Sequence, residues 1–205
     1  MTLTESWNAY MEVLRRRAPM TAAVVRPPRD RQTRMNVERA TTPWPDELHE
    51  FFSLHDGQLM PTGASVYVGT VLPDRLLFGL DEVAREHRRQ LENPFPIYDL
   101  GEDWPARIET QAAGESAHMF LPEYVPFGAD GSFSLDYVDT RRGPHHGCVR
   151  FFGGGGADEG GPEYDSLADY VESLLVSVDT GVAHVLVPTF ENDALVWTSA
   201  LTQRD

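Results

Sequence analysis

The chain has 205 residues, of which 17 are basic and 32 acidic, for a formal net charge of -15; all 17 basic side chains are arginine. At this length one domain buries a core without metal or disulfide staples, and hydrophobic and aromatic contents of 41% and 10% exclude a disordered chain. The acidic balance argues against broad nucleic-acid binding and against anionic lipid, and favours a basic protein partner.

Cys148 is the only cysteine. That excludes an intramolecular disulfide and a cysteine-rich zinc site, and predicts a reducing compartment. The N-terminus carries no basic segment followed by an apolar run, and no stretch of about 18 apolar residues occurs, so the expectation is a cytoplasmic protein with no membrane contact. The charge is unevenly spread. Residues 1 to 45 hold eight arginines against four acids, a net +4, whereas residues 46 to 205 hold nine against 28, a net -19.

Trp7, Tyr10, Met11 and Leu14 fall at i, i+3, i+4 and i+7, which predicts a helix over 5 to 17, capped by Thr4 and ended by Pro19. Asp30 caps a shorter helix over 31 to 39. Pro43-Trp44-Pro45 opens a third, with Leu48, Phe51, Phe52 and Leu54 inward, Trp44 as a staple, and Gly57 left-handed past its end. Strand-like segments follow at 64 to 71 and 75 to 79, and then a helix from a cap at Asp81 to Glu92. Residues 93 to 121 are rich in breakers and hold one short helix near 105 to 112.

Strands at 123 to 128, 133 to 139 and 147 to 152 are joined by turn-forming residues and predict an antiparallel meander. Beyond a glycine-rich loop at 153 to 161, Asp165 caps a helix carrying Leu167, Tyr170, Val171, Leu174, Leu175 and Val178. Apolar runs at 182 to 187 and 194 to 199 pair across the residues between them. The expected fold class is α+β, one domain with a mostly antiparallel twisted sheet and helices around it. Within it, 1 to 45 form a helical arm packed on the domain, 46 to 180 the core, and 181 to 205 a strand pair extending the same domain.

The search for chemistry gives little. Asp136 and Asp139 sit at odd spacing on one strand and face opposite sides, so they form no carboxylate pair. Adjacent His145 and His146 diverge, and no third ligand accompanies them. The glycine run lacks a Lys-Ser/Thr ending, and Cys148, Ser134 and Ser166 lack a nucleophile's context. No cofactor or metal is expected. A hydrolase would need two or more of His55, His118, His145 and His146 converging on a carboxylate.

Pro45-Asp-Glu-Leu-His-Glu-Phe-Phe-Ser-Leu-His-Asp-Gly57 resembles the helix and His-Asn/Asp-Gly ending of the SUKH superfamily, which includes fungal Smi/Knr cell-wall-assembly regulators and bacterial immunity proteins. Leu77-Phe-Gly-Leu-Asp-Glu-Val resembles its strand leading into a helix, and Tyr124-Val-Pro-Phe-Gly-Ala-Asp-Gly131 its strand and Asp-Gly turn. Leu135-Asp-Tyr-Val-Asp-Thr-Arg-Arg-Gly-Pro, Gly147-Cys-Val-Arg-Phe-Phe and Tyr164-Asp-Ser-Leu-Ala-Asp-Tyr-Val resemble the later strands and the closing helix. The sequence departs from the family at Ser132 to Ser134 and at the Gly153 to Gly156 turn.

The resemblance implies a non-enzymatic binding module, of immunity type or regulatory, whose partner is a basic protein such as a nuclease-like toxin domain. The expected partner surface is Trp44, Asp56, Asp130, Asp136, Asp139, Asp158 and Glu159. Trp44, Tyr67, Tyr124 and Tyr137 are either core residues or the aromatic lining of such a face. The alternatives are a scaffold in cell-envelope regulation and the hydrolase above.

Overall fold

Helical and strand periodicities resolve into separate layers in a computed structural model that describes residues 1–59, 69–92, 103–131, 134–153, 158, 160–182 and 186–199. The order is α1 (Leu3–Arg17), α2 (Pro19–Ala23), α3 (Arg31–Ala40), α4 (Asp46–Leu54), β1 (Leu76–Leu77), α5 (Leu80–Glu92), α6 (Trp104–Ile108), β2 (Tyr124–Ala129), β3 (Leu135–Asp139), β4 (Val149–Phe152), α7 (Leu167–Thr180), β5 (Leu186–Glu191) and β6 (Ala194–Ser199). It is an α+β domain. β1 to β4 form one antiparallel sheet in chain order, with a bulge in β2 between Pro126 and Gly128, and β5 and β6 form a second antiparallel pair.

One face of the large sheet, with Val125, Phe127 and Val138, carries the main core. Phe127 meets Phe51 of α4 and Tyr170 of α7 edge-on, at 5.8 and 5.5 Å between ring centroids. α1 lies along α7, and the β5–β6 hairpin packs on α1, α2 and α7. α1 ends at Arg17, ahead of Pro19 as expected, and Pro19 then occupies the first turn of the short α2, where a missing N–H is harmless. The hairpin turn is Asn192-Asp193, both at positive φ, so the first strand runs to Glu191 and not to 187. Of the strand expected at 64 to 71, residues 64 to 68 and Tyr67 with them lie outside the described residues.

The caps differ from the local expectation in a consistent way. Thr2, not Thr4, caps α1 in a reciprocal box with Glu5, and Ser166, not Asp165, caps α7. Asp81 does not cap α5; it is exposed and pairs with Arg29 at 2.8 Å. α5 begins after Gly79, which has no side chain to offer, and its first amide, Leu80 N–H, donates instead to Asp56 Oδ1 at 2.8 Å. α4 serves the other two helices alike: Glu50 accepts from Thr4 N–H of α1 at 3.0 Å, and Glu47 from Leu167 N–H of α7 at 2.9 Å. Three carboxylates in or just beyond one short helix thus satisfy orphan donors on three neighbours.

Gly57 has φ +74° and, with Gly79, lets two chain segments cross; a Cβ at Gly57 would overlap Gly79 N and the Phe78 carbonyl. His55, just before it, is fully buried against Trp7 and Phe51, at 4.5 and 4.3 Å between ring centroids. Its Nδ1 accepts from Gly57 N–H, and burial pushes its pKa down to about 3, so it is neutral. Because Asp56 supplies the cap that Gly79 lacks, Asp56→Ala is expected to lower stability by about 1 to 2 kcal/mol in urea unfolding, and Asp56→Asn by less. Equal midpoints for Asp56→Ala and wild type would remove this role.

Candidate functional site

The other face of the sheet carries Tyr124, Tyr137, Asp139 and Arg150, each 0% or 1% exposed. Arg141 binds Asp139 through two nitrogens, at 3.0 and 2.7 Å. Arg150 Nη1 lies 3.4 Å from both Asp139 Oδ2 and Asp158 Oδ2, and Nη2 donates to the Asp158 and Gly160 carbonyls. Asp158 in turn accepts from Tyr124 Oη at 2.6 Å and from Ser116 Oγ, Ala117 N–H and His118 N–H. Asp139 accepts from Gly114 N–H, and both arginines donate to the Glu115 carbonyl. Two guanidinium groups and two carboxylates balance with no net charge, and together they lash residues 114–118 and 158 across the sheet.

This corrects most of the expected partner surface. Asp139 and Asp158 are wholly buried and bonded inside, Asp56 is 7% exposed and caps α5, and none of the three can meet a partner. Trp44 is a staple: its ring lies 5.2 Å from Phe52, and its indole N–H donates to Thr41 Oγ1. Tyr124 and Tyr137 are core, with burial pushing both hydroxyls well above the ordinary range. Asp130 is exposed, Asp136 is half-buried on the opposite face from Asp139, and Glu159 lies outside the described residues. The signal overlooked in the sequence was Arg150, one charge in an otherwise apolar strand, which demands buried carboxylates.

On the core side the sheet is open at its β4 edge. There a groove of about 570 Å³ runs between the turn before β1, the outer strands, α7 and the β5–β6 hairpin. Phe151, Tyr164, Tyr170, Leu174, Leu186 and Trp197 supply its apolar walls, and Asp74, Asp136 and Glu163 its acids. At the floor Arg75 Nε lies 2.9 Å from Asp136 Oδ1, and the guanidinium stacks 4.6 Å from the Phe151 ring centre. Tyr170 Oη donates to Asp136 Oδ2 at 3.3 Å. Burial pushes the Asp136 carboxyl up to about 6; Arg75 and Tyr170 oppose that, and Asp130 adds to it. Asp74 and Glu163 are exposed at the mouth. Tyr164 is held in place by its backbone, which bridges to Val149 on the outer edge of β4.

The four histidines lie apart. His55 is in the core, His118 stacks on Trp104, His146 bonds the Thr140 and Arg141 carbonyls, and exposed His145 faces Asp165 at 3.7 Å. Among the described residues no group of three or more His, Cys, Asp or Glu is placed to hold a metal ion, and no helix is long and apolar enough to cross a membrane. Cys148 is buried, and its thiol is pushed up to about 12 by burial and by Asp139. No family model matches the sequence, and no curated protein sequence matches it.

The folded Asp136 carboxyl keeps its proton up to about pH 6, whereas an ordinary aspartate releases it near 3.8. The stability this proton brings is full below the lower value and is lost as pH rises through the upper one. An asparagine never ionises, so the stability of Asp136→Asn relative to wild type is expected to increase between about pH 4.5 and pH 7.5 in urea unfolding. A pH-independent difference would show that Asp136 titrates normally.

Proposed function

We propose that the chain is a SUKH-like, non-enzymatic binding module of the cytoplasm, an immunity-type or regulatory protein that recognises a basic protein partner through its groove face. The observation that carries this reading is the groove itself. It is a concave, aromatic-walled site of the size that takes a ligand or a partner's anchor, and Asp74 and Glu163, with no ion-pair partner among the described residues, stand at its mouth. The net charge of -15 supports it, because an acidic body draws a basic partner by long-range attraction. The resemblance is supported by the contact between two of the segments that carry it. The Asp56-Gly57 ending of one meets the Gly79-Leu80 start of the other through a helix cap and a glycine crossing.

The partner surface on this reading is Asp74, Asp130, Asp136 and Glu163, with Tyr164 as apolar anchor and the buried Trp197 in the groove wall behind it. A neighbouring gene for a large secreted protein ending in a basic, nuclease-like domain would support the immunity role and supply the partner to test; co-purification from native lysate is the other source. With that partner, the triple variant Asp74→Asn, Asp130→Asn, Glu163→Gln is expected to associate about tenfold more slowly at low salt and to lose most of the salt dependence of its on-rate. An on-rate equal to that of wild type would sink this reading.

A further inference from the structure

We infer that the groove is built to receive an arginine side chain of the partner, inserted between the aromatic walls with its guanidinium held by Asp74 and Glu163; this rests on the reading of the groove as the partner site. Three features of the groove point to that occupant. The first is charge. Two arginines line the groove: Arg75 is already paired with Asp136, and the Arg150 guanidinium is spent on Asp139 and Asp158 on the opposite face of the sheet, which leaves Asp74 and Glu163 with no ion-pair partner among the described residues. An anionic ligand would meet two uncompensated carboxylates at the mouth, and a neutral one would leave them unanswered. A cation satisfies them.

The second is the wall. Tyr164, Trp197 and Phe151 line the groove, and the Trp197 indole N–H is already spent on the Thr70 carbonyl. Planar guanidinium is a better guest for such a surface than ammonium, because it stacks and is less strongly hydrated.

The third is internal precedent. Arg75 already lies flat on Phe151 while facing the Asp136 carboxylate. Tyr164, with Glu163 next to it in the chain, adds a second ring and a second carboxylate to the same groove lining. Tyr164 is half-buried and Glu163 exposed, so this second pair is reachable from solvent.

The test is an NMR titration of the full-length, isotope-labelled protein with the tripeptide amide Ac-Leu-Arg-Leu-NH2 and its lysine and citrulline counterparts. Citrulline keeps the shape of arginine and removes its charge. The arginine peptide is expected to shift the Trp197 indole and the Tyr164 amide. The citrulline peptide should bind at least about tenfold more weakly, and the lysine peptide several-fold more weakly. The double variant Asp74→Asn, Glu163→Gln should weaken the arginine peptide at least about fivefold. Both positions are exposed, and asparagine suits the positive φ of Asp74, so the variant is expected to fold.

Equal binding of the arginine and citrulline peptides, absence of shifts at the groove, or equal binding of the lysine peptide would each overturn the inference. So would concentration-dependent self-association seated on the groove, since the occupant would then be a second copy of the chain. If the peptides fail while the triple variant still slows association with the partner, the arginine inference falls alone and the binding-module reading stands. If the triple variant has no effect either, both fall.

Discussion

Two arginines and two aspartates sit with almost no solvent contact on one face of the sheet, and the rest of the molecule is arranged around their mutual neutralisation. Burying four charges is expensive unless each is paired and its remaining hydrogen-bonding capacity is used. Here Asp158 draws on three residues of the 114–118 segment, Asp139 on its Gly114 amide, and the arginines on the Glu115, Asp158 and Gly160 carbonyls. These bonds fix a segment with little regular structure of its own. Removing any one charge would strand its partners, so the arrangement specifies a single path for the chain over that face.

With that face sealed, the sheet's other face is buried under α1, α4 and α7 except where it runs out at β4. The groove opens at that point. It follows that the acidic residues fall into two populations that composition cannot distinguish. Asp139, Asp158, Asp56, Glu47 and Glu50 neutralise buried arginines or cap helices, while Asp74 and Glu163 face solvent at an aromatic-walled opening and Asp130 is exposed outside its lining. Asp136 belongs to both. It is half-buried and paired with Arg75, yet it forms the floor of the groove, and its raised pKa reflects that position.

The helices and the meander were legible because their signals are local. The apolar spacing of Trp7, Tyr10, Met11 and Leu14 places α1, the Asp30 cap places α3, and the turn residues between the apolar runs place β2 to β4 within a residue or two. The caps of α5 and α7 depart from the obvious nearby Asp for different reasons: Asp56 reaches α5 from another element, whereas α7 is capped by Ser166, one residue past Asp165, with Glu47 adding a bond from α4. The site was harder still. Whether Asp139 or Asp158 faces water depends on Arg141 and Arg150 being folded against them, which no local pattern encodes. The opposite orientation of Asp136 and Asp139 did follow from strand alternation, and it is the feature that separates the sealed network from the groove.

Native-state hydrogen exchange tests the central claim most directly, because the sealed face predicts protection where the secondary structure does not. The Gly114, Ala117 and His118 amides, which donate to buried carboxylates and lie outside any helix or strand, should exchange in wild type only through large-scale unfolding. In Asp158→Asn the Ala117 and His118 amides should exchange far faster. Wild-type amides at these positions exchanging at the rate of an open loop would contradict the account.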